Sequence, residues 1–146
     1  MKRYNPETAV GLFVLMGLLA LAYLSIKLGK VDILGTNDYK VYAAFDSVSG
    51  LKNDAQVEIA GVSIGRVAGI VLDNYRALVT LRIRQNIKLQ EDAIASVRTR
   101  GIIGDKFVEI APGGSDKFIP PDGKIRETES AIELEQLISR YIFGKI

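Results

Sequence analysis

The sequence predicts an all-β domain, a small barrel of about seven strands, carried behind one N-terminal transmembrane helix and followed by a short amphipathic helix. Three observations predict it. An uncharged apolar run lies near the N-terminus, short β-type runs divided by turn residues fill the middle, and the last residues change to helical spacing.

The apolar run is Ala9 to Ile26, AVGLFVLMGLLALAYLSI, without a single charge. As a helix it rises about 27 Å, close to the roughly 30 Å hydrocarbon core of a bilayer. Asn5-Pro6-Glu7 makes a sound helix start, with proline in the first turn and an acid at the positive dipole end. Met1-Lys2-Arg3 precedes the run and Lys27 and Lys30 follow it, so basic residues on both sides leave the orientation open. A cleaved signal peptide would use Ala20-Leu21-Ala22 as its small-x-small site. Tyr23, Leu24 and Ile26 continue the apolar run past that point, which favours a retained anchor; a buried core helix fits less well, because no polar stripe faces water. Residues 1–27 are assigned to the anchor and 28–37 to a linker with glycine and polar residues.

Residues 38–128 read as the barrel. Tyr39 to Phe45 alternates, with Tyr39, Val41, Ala43 and Phe45 on one face. Gln56 to Ala60 follows the turn at Lys52-Asn53-Asp54, and Arg66 to Leu72 ends at Asp73-Asn74. Ala77 to Arg84 sets Val79, Leu81 and Ile83 against Thr80, Arg82 and Arg84, the period of two that marks a half-buried strand. Ala93 to Arg100 and Lys106 to Ala111 flank a Gly-x-x-Gly turn, and Ile119 to Glu127 supplies a last strand around Gly123. The expected assembly is a compact antiparallel barrel.

Residues 129–146 change period. Ser130 with Glu133 forms a capping box, which predicts a helix of about thirteen residues from Ala131. Leu134, Leu137, Ile138, Tyr141 and Ile142 form an apolar stripe, and Gly144 ends the helix. A helix this short is marginal alone in water and must bury its stripe. Packing on its own barrel and bundling with other copies both satisfy that need.

Little in the chain serves bond chemistry. There is no cysteine and no histidine, which removes disulfides, thiolate metal sites and the commonest general base. Net charge is +2 with no basic stripe, so nothing marks a nucleic-acid partner. The Gly-Lys pairs lack the rest of a phosphate loop. Gly61-Val-Ser-Ile-Gly65 resembles a nucleophile elbow only superficially, because the serine is displaced and has no histidine to activate it. Glu91 with Asp92, or Asp122 with Glu127, reads as solvated turn acids rather than an acid/base pair. No catalytic residue, metal site or cofactor is assigned. What stands out is glycine beside apolar residues: Gly50, Gly61, Gly65 and Gly69, and above all Gly101-Ile102-Ile103-Gly104. Two branched apolar residues at a turn tip call for burial, either against their own barrel or by something outside the hairpin.

These glycines carry a resemblance. Phe45-Asp46-Ser47-Val48-Ser49-Gly50-Leu51-Lys52, then Val57-Glu58-Ile59-Ala60-Gly61-Val62-Ser63-Ile64-Gly65-Arg66-Val67, and then Arg98 to Val108 resemble the signature of the MCE (mammalian cell entry) domain. The likeness runs from the anchor through Ser130-Ala131-Ile132-Glu133-Leu134-Glu135. It implies a seven-stranded barrel, with Gly50, Gly61, Gly65, Gly101 and Gly104 as structural turn glycines. It also implies a homohexameric ring in the periplasm, anchored in a bacterial inner membrane by one helix per subunit. Such a ring sits on an ABC permease and ATPase, works with a periplasmic lipid carrier, and passes phospholipid through its pore. By the resemblance, Ile102 and Ile103 line that pore, and Leu134, Leu137, Ile138 and Tyr141 extend it as an apolar tube. The contrasting expectation is a membrane-tethered adhesion or scaffold β-domain, which has no need for an Ile-Ile turn and an apolar terminal stripe together.

Overall fold

The computed structural model describes residues 5–29 and 37–144. The chain divides into two compact units, Met1–Thr36 and Asn37–Ile146.

In the first unit, helix α1 spans Pro6–Leu28. Proline takes the first helical position, where its missing N–H is no loss, and Glu7 lies in the first turn. The helix is apolar all round, buries none of its residues within the chain, and is long and apolar enough to cross a membrane. Near its end the Lys27 ammonium lies 5.8 Å from the centre of the Tyr23 ring. The basic residues Lys2, Arg3 and Lys30, and most of the expected linker, lie outside the described residues.

The second unit is a β-barrel. Its strands are β1 Asp38–Phe45, β2 Gln56–Ile59, β3 Val62–Asp73, β4 Arg76–Arg84, β5 Ile94–Thr99, β6 Lys106–Ala111, β7 Lys124–Ile125 and β8 Glu127–Glu129. They run in the order β7-β1-β4-β3-β2-β6-β5-β8. The two edge strands are consecutive in the chain, separated only by Arg126, so one segment closes the sheet by pairing with β1 on one side and β5 on the other. The Thr128 hydroxyl donates to the Ala44 carbonyl at 2.7 Å and ties that seam.

Three expectations are corrected here. The seventh expected strand, Ile119 to Glu127, is two short strands that begin at Lys124, giving eight in all. The Pro120-Pro121 pair holds the preceding residues in a turn that the Gly123 N–H closes onto the Pro120 carbonyl. The barrel is mixed, because β1–β7, β2–β6 and β5–β8 are parallel pairs. Finally, β3 starts at Val62, four residues before the expected Arg66. Ala60 and Gly61 both take positive φ, the two-residue turn that matches strand twist, so pairing resumes at once.

Alternation fills the core. Val41, Ala43 and Phe45 on β1 and Val79, Leu81 and Ile83 on β4 are fully buried, joined by Val57, Val108 and Ile110. Gly65 lets β3 lie against the β4 backbone, where a Cβ would strike the Arg82 carbonyl. Tyr39 donates its hydroxyl to the Ile87 carbonyl at 2.6 Å, and burial pushes its phenol pKa up. Ser63 of the superficial elbow lies within β3 opposite Glu58 and is part of the ladder. Asp92 accepts the Gly114 and Ser115 N–H groups at 2.8 and 3.0 Å, clasping the loop after β6 and lowering its carboxyl pKa.

The last element, α2, spans Leu134–Phe143 and ends at Gly144. It begins later than the capping box predicts. The Ser130 hydroxyl is taken up by the N–H groups of Asp46 and Ser47, at 3.1 and 3.2 Å, and the Ala131 N–H donates to the Ser47 carbonyl. Ser130 therefore clips the end of β8 to the loop after β1, and Glu133 takes the N-cap position without a side-chain cap bond.

Candidate functional site

β5 and β6 stop pairing at Thr99↔Lys106, leaving a six-residue turn. Its base closes through the Arg100 N–H, which donates to the Asp105 carbonyl at 3.0 Å. Gly101 takes φ +70°, a region that costs an L-residue about 1–2 kcal/mol, and a Cβ on Gly104 would run into the Arg100 carbonyl. Both glycines are therefore required by the turn, and between them Ile102 and Ile103 project with 80% and 95% of their surface exposed. Neither folds back onto the barrel. Gly50 and Gly61 also take positive φ, at +79° and +81°.

The stripe of α2 is equally uncovered. Leu134, Leu137 and Ile138 are about half exposed or more, and Tyr141 is 89% exposed. No residue of α2 is buried, so the barrel of the same chain does not cover the stripe. The tip and the helix are neighbours: Gly101, Val97 and Thr99 line one open cleft together with Ile132 and Leu134. Of the residues singled out from the sequence, Gly101 at the root of the tip and Leu134 at the start of α2 line this cleft. Nothing in the period of the sequence places them together, because Gly101 and Leu134 are joined only through β8 lying beside β5.

Two features at this end were not legible from residue types. Arg100, at the root of the tip, donates to Gln56 Oε1 at 3.0 Å and to Glu58 Oε1, and its guanidinium lies 5.0 Å from the centre of the Phe107 ring. Glu58 alternates outward in β2, yet it is only 5% exposed because that arginine covers it. The other is the β3–β4 hairpin tip, where Val71, Leu72 and Tyr75 are exposed. Among the described residues, no cluster of acidic side chains has the arrangement to hold a metal ion.

A helix long and apolar enough to cross a membrane, a small β-barrel and an uncovered Gly-Ile-Ile-Gly turn fit the MCE-type β-domain that the sequence resembles. Comparison with known proteins is more specific. The family model described as "MlaD protein" matches residues 37–113. The intermembrane phospholipid transport system binding protein MlaD of Haemophilus influenzae is 35% identical, over 94% of this chain and 87% of that protein. Its Escherichia coli K12 counterpart is 37% identical, over 99% of this chain and 84% of its own length. Among solved structures, a chain of the Acinetobacter MlaFEDB complex in its ATP-bound Vtrans1 conformation superposes with a TM-score of 0.71 at 28% identity, covering 94% of this chain and 98% of that one. The chain belongs to the MlaD family.

Proposed function

We propose that this protein is a lipid-transport subunit without bond chemistry of its own. It is held in a bacterial inner membrane by α1, with the barrel in the periplasm, and it assembles as a homohexameric ring on an ABC permease and ATPase. Phospholipid passes through the ring's apolar centre on its way between inner and outer membrane, exchanged with a periplasmic carrier. Residues 1–27, 28–37, 38–128 and 129–146 serve as anchor, linker, barrel and pore helix. Ile102 and Ile103 form the constriction, and Leu134, Leu137, Ile138 and Tyr141 line the tube beyond it.

One observation carries this reading: the barrel leaves two apolar elements uncovered, the Ile102–Ile103 tip and the α2 stripe, and Gly101 and Leu134 at their roots line one cleft. Exposed branched and aromatic residues in that concentration mark a surface completed by something else. A copy of the chain covers part of it and an acyl chain the rest. Apolar surface gains about 25 cal/mol per Å² on leaving water, so an apolar ring favours acyl chains over water and ions without any reaction. The similarity to the binding proteins of intermembrane phospholipid transport supports the choice of cargo.

Native mass spectrometry of the detergent-purified full chain tests the proposal. The expected spectrum has the mass of six protomers with phospholipid retained. A monomer free of lipid at micromolar concentration would remove both the ring and the cargo.

A further inference from the structure

We infer that Arg100 is a positioning residue that fixes the direction of the Ile102–Ile103 tip by strapping its root to a strand that does not otherwise hold it. The backbone of β5 bonds to β6 and β8, and β2 lies on the far side of β6. The Arg100 side chain crosses that gap. It passes over Phe107 of β6 and ends on Gln56 and Glu58 of β2. The residue immediately before Gly101 is thus tied twice, through its N–H to Asp105 within the hairpin and through its guanidinium to β2.

The charge arrangement explains why a cation is held here. Glu58 of β2 and Glu109 of β6 are direct cross-strand partners, and like charges so placed repel. Two arginines answer them, Arg98 of β5 on Glu109 and Arg100, just past the end of β5, on Glu58. Glu58 is the more buried acid, and a buried carboxylate needs a held partner. The planar guanidinium lies over Phe107 while its Nη2 donates to both Gln56 and Glu58, so one flat group makes the ring contact and both hydrogen bonds. Lys52 and Asp105, on the outer side of the turn, are joined at 3.3 Å but both are largely exposed, so they add little hold. Beside the Arg100 N–H bond to Asp105, the strap from the half-exposed Arg100 side chain to the buried Glu58 carboxylate is the side-chain contact at the root of the turn that ends on a buried partner.

This inference rests on the proposed lipid role for the importance of the tip, but its test does not. The sequence holds no cysteine, so a nitroxide on I103C or Y75C reports one site each in the full-length assembly. The background variant is R100Q/E58Q, which removes both charges together and leaves no lone buried carboxylate. The expected result is a several-fold faster spectrum at position 103, none at position 75, an unchanged native mass and a tenfold or greater loss of lipid transport. An unchanged spectrum at 103 would overturn the strap. Failure of the double variant to assemble would also overturn it, making the pair a requirement of the fold. A faster spectrum with full transport would leave the strap standing and remove the lipid role of the tip.

Discussion

Two hairpin tips of this barrel expose large apolar side chains, and their backbones are built differently. At the β3–β4 tip the ladder continues to its last pair, Asp73↔Arg76, and the turn is only Asn74-Tyr75, with φ of +48° and +61°. Backbone pairing runs up to the turn itself, and Arg76 beside it donates to Asp46 Oδ1 at 2.8 Å and to the Ala44 carbonyl at 3.1 Å. At the β5–β6 tip the ladder ends early, and six residues are held by two glycines, one backbone hydrogen bond and the Arg100 strap. Ile103 and Tyr75 are both 95% exposed. Exposure therefore does not separate the two tips. Construction does: one tip tolerates an aromatic residue in a strained turn position, while the other spends two glycines and a buried charge on presenting two isoleucines.

The sharpest way to break this contrast is to exchange polarity at each tip. Ile102→Asn with Ile103→Asn should abolish lipid transport and outer-membrane barrier function, measured as detergent sensitivity of cells. The thermal melt should stay within about 0.5 kcal/mol of the parent, the usual range for exposed positions. Leu72→Asn with Tyr75→Asn should leave transport and barrier intact. Barrier loss from the second pair alone would reverse the assignment of the two tips.

Removing residues 134–146 should come next in effect. The Ser130 clip to Asp46 and Ser47 is kept, so the barrel should melt as before, because α2 buries none of its residues. Assembly should weaken, or transport should fall with a shortened tube, by native mass and lipid-transfer assay. Unchanged assembly and transport would make the stripe irrelevant to the pore.

A smaller effect sharpens the backbone side of the comparison. Tyr75→Gly should stabilise the barrel by about 1 kcal/mol in a urea melt, since the left-handed conformation costs a residue with a Cβ about that much. A loss of stability would mean that the Tyr75 ring holds the hairpin tip.

The smallest effect lies away from both tips. Asp92 accepts two backbone N–H groups, which depress its carboxyl pKa below the usual 3.8. A depressed folded-state value gives stability that is present above the unfolded pKa and is lost as pH falls through the folded one. Asp92→Asn should therefore lower the melting temperature slightly near neutral pH, and the gap to the parent should close below about pH 3.8. A gap independent of pH would mean that the charge on Asp92 does not matter to the clasp.

Much of this was legible in the sequence, for physical reasons that also mark where it stopped. Alternation announced β4 because Val79, Leu81 and Ile83 all face one core. The run from Ala9 to Ile26 announced α1 because no charge interrupts it. The uncovered tip was marked by two glycines around two isoleucines, a local pattern. Long-range placement was not legible. The hydroxyl of Ser130 has the residue pattern of a helix cap, but its partners lie more than eighty residues away, at Asp46 and Ser47. Period two sends Glu58 outward, and only the fold brings Arg100 over it. The parallel pairs escaped for the same reason, because β2 meets β6 through the closure of the barrel rather than through any turn between them.

The central claim is that lipid touches the β5–β6 tip and the terminal stripe, and does not touch the β3–β4 tip. A photoreactive amino acid placed in turn at positions 103, 137 and 75 of the full chain, in cells labelled with radioactive phosphate, tests it directly. Light-dependent transfer of label to the protein is expected from positions 103 and 137 and none from 75. Label captured at 75 with none at 103 would contradict it.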